Sequence, residues 1–280
     1  MLRLGAAARL LCERDLPALR GLLDLDPVAN CFVTARVEAA GLDPWRLGAE
    51  LWGYGGSRLE GACFAGANLV PVGEAPAALS AFADRARRQG RRCSSIVGPA
   101  GAVAALWDRL EPYWGPAREV RPSQPLLATR RLPAVRPDPA VHRVRLAELD
   151  VLLPACIAMF TEEVGTSPLG TDNGASYRAR VRDLVVAGRA FARIEDGEVL
   201  FKAELGAVST HACQVQGVWV HPAHRGRGLG TSGTSAVVAE ALRTVAPVAS
   251  LYVNDFNLPA RRAYERVGLS RVGTFSSVLF

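Results

Sequence analysis

The sequence predicts an α/β protein of two tandem domains, the second a mixed sheet flanked by helices and the first a degenerate copy of it. Three observations carry this. A chain of 280 residues suits two modest cores, because domains cluster near roughly 100 to 150 residues. The stretch RRLPAVRPDPAV at 130–141 places Pro133, Pro137 and Pro139 where neither a helix nor an interior strand can run. Both halves also alternate strand and helix patterns in the same succession.

The expected boundaries are therefore 1–132 for the first domain, 133–140 for a linker and 141–280 for the second. In the first, Arg58–Val72 reads as strands, Pro76–Gln89 as a helix, Arg92–Val97 as a strand, Gly101–Pro112 as a helix and Arg118–Thr129 as strands. In the second, a helix at Glu148–Phe160 precedes a turn-rich loop, TSPLGTDNG at 166–174, and a helix at Tyr177–Ala187 closed by Gly188. Strands follow at Ala190–Ile194, Val199–Val208 and Ala212–Val220, the first two joined by the Asp196-Gly197 hairpin signal. A helix at Leu229–Val245, a strand at Ala249–Asn254, a helix at Pro259–Val267 and a strand at Arg271–Phe280 complete the order. That strand, helix, strand, helix, strand succession after residue 212 matches the one in the first half, which suggests internal duplication.

Composition narrows the function classes. With 49% hydrophobic and 21% charged residues, the chain is globular rather than disordered. The net charge of +6 rests on arginines spread along the chain, Lys202 being the sole lysine. The cluster Arg85, Arg87, Arg88, Arg91 and Arg92 has no interleaved aromatics and reads as a solvated helix face, so no nucleic-acid partner is expected. Six cysteines show no CxxC pair and no metal-ligand spacing with the four histidines; they read as reduced core residues, and no metal is expected. The opening MLRLGAAARLLCERDL is broken by Arg9 and followed by acidic residues, which argues against a signal peptide. No uninterrupted apolar run long enough to span a bilayer occurs, so the expectation is a cytoplasmic protein with no membrane partner.

The chemistry lies in VQGVWVHPAHRGRGLGTSG, residues 215–233: an apolar strand, a proline turn, then glycines opening a helix. Gly226, Gly228 and Gly230 let a ligand touch the backbone, and the N–H groups of Arg225 to Thr231 lie at the positive end of the following helix. Arg225 and Arg227 add guanidinium groups suited to phosphate, so a pyrophosphate is the natural guest. Taken alone, the segment also reads as a tight strand-to-helix turn. It is neither a Walker loop nor a dinucleotide fingerprint.

Arg225, Gly228 and Gly230 match R/Q-x-x-G-x-G/A, and Asn257, Tyr264 and Gly268 match N-(x)6-Y-x-x-x-G within LYVNDFNLPARRAYERVGL at 251–269. With these two stretches, residues 140–280 resemble the GCN5-related N-acetyltransferase (GNAT) family. The resemblance implies an acetyl-CoA-dependent N-acyltransferase acting on a primary amine of an unidentified small molecule, peptide or protein. Val218, Trp219 and Val220 would present backbone to the pantetheine arm, and Arg225, Gly226, Arg227, Gly228, Leu229, Gly230 and Thr231 would hold the pyrophosphate. Asn257, Ala260, Arg261 and Arg262 would line the thioester end. Tyr264 is the implied general acid, and its phenol also fits a buried core role.

The strand that supplies a glutamate base in many relatives here carries Gln214 and Gln216. Gln216 can position a water or accept from the amine, while deprotonation falls to Glu204, Glu162 or Glu163. Trp219 alternates with its neighbours and reads as core, His221 and His224 as turn residues, and VGTSPL at 164–169 as an acceptor-pocket loop.

The first half lacks R-x-x-G-x-G between Val70 and Pro76 and holds Trp107 where a phenol is sought. Its VGPAG at 97–101 reads as a plain turn. With no glutamate on the strand that carries Gln214 and Gln216, a second reading of the protein is a non-catalytic acyl-CoA sensor, and a homodimer is the assembly considered.

Overall fold

A computed structural model describes residues 7–170 and 172–280; residues 1–6 of the opening stretch and residue 171 of the 166–174 loop lie outside the described residues. It is an α/β structure of two compact units. The first comprises the described residues through Leu126 together with Tyr252–Phe256 and Arg271–Phe280; the second comprises Leu127–Leu251 and Asn257–Ser270.

In chain order the first unit begins with β1 (Arg9–Leu10), α1 (Leu16–Leu23), α2 (Cys31–Ala40) and α3 (Pro44–Leu47). It continues through β2 (Glu50–Gly55), β3 (Leu59–Ala65), β4 (Asn68–Val72), α4 (Pro76–Gln89), β5 (Ser95–Pro99) and α5 (Ala100–Trp114). β6 (Glu119–Thr129) carries the chain across the boundary between units. The second contains β7 (His142–Arg143), α6 (Leu149–Val164), α7 (Ala175–Val186), β8 (Ala190–Glu195), β9 (Glu198–Val208) and β10 (Cys213–Val220). Then come α8 (Leu229–Thr244), β11 (Ala249–Tyr252), α9 (Leu258–Val267) and last β12 (Ser270–Leu279), which from Arg271 onward belongs to the first unit. Apart from α3, each element of the first series has a counterpart in the second.

The first unit orders its strands β1-β2-β3-β4-β5-β12, antiparallel except for the parallel β4–β5 pair. β12 runs antiparallel to β5, from Phe275↔Pro99 to Leu279↔Ser95. Gln124 of β6 fixes two partners beside it, donating from Nε2 to Asn254 Oδ1 at 2.8 Å and accepting from Ser277 Oγ at 2.7 Å. This differs from the expected contiguous domain at 141–280, since β12 and residues 252–256 pack with the first unit. The register with β5 is the physical reason: it satisfies five consecutive residues of an otherwise open edge.

The second unit orders β11-β10-β9-β8-β7, antiparallel except for β10–β11. α6 and α7 cover one face, where Leu149, Leu152, Cys156, Val181 and Val185 bury against Ala190, Ala192 and Trp219. α8 covers the other face, and its Gly233 lies so close to the Phe201 ring that an added Cβ would fall 2.7 Å from it. That contact sets the start of α8 firmly over β9.

Candidate functional site: a strand, an open loop and a buried ionic cluster

β10 leaves its parallel neighbour early. It pairs with β11 at Cys213↔Ala249 and Gln214↔Ser250, so Val218, Trp219 and Val220 lie beyond that register. On its other side the register with β9 slips between Gln216 and Trp219, a bulge made by Gly217 at φ +59°. Val218 and Val220 are half-buried, whereas Trp219 faces the opposite way into the core and donates from Nε1 to Glu162 Oε1 at 3.1 Å. Trp219 is a core residue as the alternation predicted, so its backbone alone is available to a ligand.

After β10 the chain makes a short 3₁₀ turn, Pro222–His224, and enters α8. Arg225 N–H is used by Pro222 O at 3.3 Å, and the amides of Thr231 and Ser232 both reach Gly228 O at 3.0 Å. Among the described residues, the N–H groups of Gly226, Arg227, Gly228, Leu229 and Gly230 have no acceptor within the chain. The set of free amides is thus narrower than the seven expected from Arg225 to Thr231. Gly228 caps α8 in the left-handed region at φ +86°, and a Cβ there would meet nothing within 4 Å. The loop is open as well as rich in donors, and the 16-residue helix behind it adds its positive end. Arg227 is exposed, but Arg225 is held: its Nη2 lies 2.7 Å from Glu162 Oε2 and its Nε donates to Val220 O at 3.1 Å.

Asn257 is the N-cap of α9. Its Oδ1 accepts from Ala260 N at 3.2 Å and its O from Arg261 N at 3.1 Å, with Pro259 in the first turn. Ala260 and Arg261 are half-buried and Arg262 is exposed. Gly268 ends the helix in the left-handed region, where the Leu269 amide returns to Tyr264 O at 3.1 Å. Tyr264 is buried, and burial, with the nearby Glu163 carboxylate, pushes its phenol well above the ordinary value. The phenol therefore stays protonated throughout the ordinary pH range.

Gln216 and Glu204 are direct cross-strand neighbours, and Gln216 Nε2 donates to Glu204 Oε1 at 2.9 Å. Lys202 Nζ stands 3.4 Å from Glu204 Oε2 and 3.6 Å from Cys156 Sγ, with Arg180 Nη2 4.0 Å from Glu204 Oε1. Burial alone would raise the Glu204 pKa; Lys202 and Arg180, then the Gln216 hydrogen bond, outweigh it and hold the carboxyl below its usual range. Burial raises the Cys156 thiol, and with nearby Cys156 and Glu204 it also raises the Tyr177 phenol, which donates to Cys156 O at 2.9 Å. Gly206 lies beneath the Gln216 amide, since an added Cβ would fall 1.9 Å from Gln216 Cδ.

Gln216 and Glu204 are legible as candidates in the sequence, whereas Lys202, Arg180, Cys156 and Gly206 join them only in the fold. Lys202 carried a signal, as the sole lysine of the chain inside an apolar strand. Glu162 and Glu163 end α6 beside the site: Glu162 binds Trp219 and Arg225, and Glu163 acts on Tyr264. His221 N–H donates to Leu200 O at 3.0 Å, and its ring accepts from Ala223 N at 3.3 Å, a turn-capping role as expected.

Residues 158–269 match the model of the acetyltransferase (GNAT) family, and residues 49–152 match a domain of unknown function, DUF4081. No curated protein matches the chain. Several solved structures share its fold. A Drosophila protein is 13% identical with a TM-score of 0.69, covering 99% of each chain. A GCN5-related N-acetyltransferase from Sphaerobacter thermophilus is 16% identical at TM-score 0.55, covering 100% of this chain and 97% of its own. A tandem GNAT protein from the clavulanic acid biosynthesis pathway is 15% identical at TM-score 0.53, covering 97% and 98%. The chain thus carries a GNAT-family domain at 158–269 within a fold that GNAT structures cover end to end. Among the described residues, no helix is long and apolar enough to cross a membrane.

Proposed function

We propose that the second unit is an acetyl-CoA-dependent N-acyltransferase whose acceptor is a primary amine. The observation that carries this reading is the open run of five free amides at Gly226–Gly230, joined to a strand that has left its parallel neighbour. A diphosphate matches the amides and the helix end, while Val218 and Val220 offer backbone groups to an extended amide-bearing arm. Arg227, exposed on the loop, would meet the phosphates, and Arg225 would reach them by exchanging its partner Glu162. Acetyl-CoA supplies the acyl group as a thioester, the bond the amine must break.

The remaining work falls to side chains. Tyr264 keeps its proton and can hydrogen-bond the departing thiolate; because the thiol is the stronger acid, the proton that completes it is the one the amine loses as the C–N bond forms and the C–S bond breaks. Gln216 has its amide N–H engaged by Glu204, which leaves its carbonyl oxygen as an acceptor for the amine or a water. Glu204, kept ionised by Lys202 and Arg180, orients Gln216; its lowered pKa makes it a weak base toward an ammonium. Asn257 sets the start of α9 and hence the reach of Tyr264.

Release of coenzyme A from acetyl-CoA in the presence of a primary-amine library tests this reading, with Tyr264→Phe alongside. Amine-dependent release that falls about 100-fold in Tyr264→Phe is the expected result. Release unaffected by Tyr264→Phe removes the tyrosine from its role. A second reading, an acyl-CoA sensor, is favoured by the one departure from an acid at Gln216; binding of acetyl-CoA with no release for any amine would establish it over the enzyme.

A further inference from the structure

We propose that Glu198, His221 and His224 form a binding site for a divalent transition-metal ion, zinc being the first choice, at the entrance to the glycine loop. The ligand atoms of these three residues lie within 4.8 Å of one another. Two histidines and a carboxylate are a donor set suited to zinc, with a fourth position left for water. This differs from the absence of a metal expected from the cysteine and histidine spacings, because the carboxylate that joins the two histidines comes from a strand distant in sequence.

The backbone explains why the three converge. His221 and His224 begin and end a single 3₁₀ turn, in which residues three apart stand one above the other; their rings are 5.6 Å apart. The His221 amide is fixed to Leu200 O at 3.0 Å, which sets it beside the start of β9, where Glu198 lies. His221 Nε2 is already 3.1 Å from Glu198 Oε1. Trp219 packs edge-on against the His221 ring at 5.7 Å and holds its orientation.

A tetrahedral zinc with bonds near 2.0 Å needs its ligand atoms about 3.3 Å apart. The remaining gap falls to the side chains of the exposed Glu198 and the half-buried His224. Coordination through His221 Nε2 moves its proton to Nδ1, at the expense of the long 3.3 Å bond from Ala223 N. In exchange the ion ties β9 to the turn that delivers Arg225 to the loop. The neighbouring Arg225 guanidinium does not stand free against the ion, since Glu162 holds it at 2.7 Å.

The test uses the full chain, freed of metal and without acetyl-CoA, so it does not depend on the acyltransferase reading. Cobalt(II) is titrated as the probe, followed by its visible absorption and by quenching of tryptophan fluorescence, and zinc is then added as competitor. One equivalent of cobalt, displaced by zinc, is expected. His224→Ala should weaken binding about 100-fold and Glu198→Gln about tenfold, with unchanged circular dichroism. His142→Ala, which removes a histidine paired to a single carboxylate, Glu148, should leave binding unchanged. No saturable signal, a signal indifferent to His224→Ala, or one abolished by replacing the exposed Cys12 would overturn the assignment.

Discussion

The turn after β4 and the turn after β10 hold the same place in two equivalent series of elements, yet they differ in what they offer the anion proposed to bind the second. Each follows a strand that pairs in parallel over a two-residue register, Asn68↔Ser95 with Leu69↔Ile96 in the first unit and Cys213↔Ala249 with Gln214↔Ser250 in the second. After β4 the chain reads Gly73, Glu74, Ala75, Pro76 and enters α4. Glu74 would repel a phosphate at the helix start, and Pro76 has no N–H to offer. After β10, Gly226 to Gly230 leave five amides free and Arg227 stands exposed. The scaffold is carried by apolar periodicity, the proposed anion site by a handful of loop residues, and the two vary independently.

The starts of the units show the opposite case, a local device kept in both. Before α1, Asp15 Oδ2 accepts from Cys12 N at 3.0 Å; before α6, Glu148 Oε2 accepts from Arg145 N at 2.8 Å. Each acid also binds an arginine, Arg9 in the first unit and Arg145 in the second. Both carboxyls are held well below their ordinary range, in each case first by the arginine hydrogen bond.

Substitutions can break this comparison at graded strength. Gly228→Val should have the largest effect: a β-branched residue at φ +86° is strained and covers the free amides, so acetyl-CoA affinity should fall more than 100-fold by calorimetric titration. Gly206→Ala drives a methyl group into the Gln216 amide and detaches it from Glu204; about a tenfold rise in KM for the amine is expected, with acetyl-CoA affinity unchanged. Glu162→Gln frees Arg225 for phosphate, and because a half-exposed ion pair is worth up to about 1 kcal/mol, a gain of up to fivefold in acetyl-CoA affinity is expected.

The smallest expected effect is on stability. Glu148→Gln should cost about 1 kcal/mol near neutral pH, measured by urea melts. The folded pKa of Glu148 is depressed from 4.5 to about 2, so the contribution is complete above the unfolded value and is lost as pH falls toward about 2. The difference between wild type and variant should therefore vanish in acid.

Where apolar periodicity ran uninterrupted, the sequence showed the elements closely. Pro76–Gln89 is α4 as expected, and β8 to β12 lie within about one residue of their expected bounds, apart from the early end of β11. Residues 9–55 were not assigned, because α2 has no clear apolar stripe and β2 contains Gly53 and Gly55. Pro112 and Pro154 sit inside α5 and α6, which runs past its expected end to Val164. Of the site, the loop and Tyr264 were legible because their chemistry is local in sequence. The Lys202–Glu204–Arg180 cluster was not, because it forms only when β9 packs beneath α6 and α7. Asn257 had a readable signal, an N-cap residue two positions before a proline, for the capping role it fills.

The difference between the two units is tested most directly by the stoichiometry of acetyl-CoA binding to the full chain. One site per chain, lost in Gly228→Val, is the predicted calorimetric result. Two sites, one site that survives Gly228→Val, or no heat of binding at roughly millimolar acetyl-CoA would contradict it.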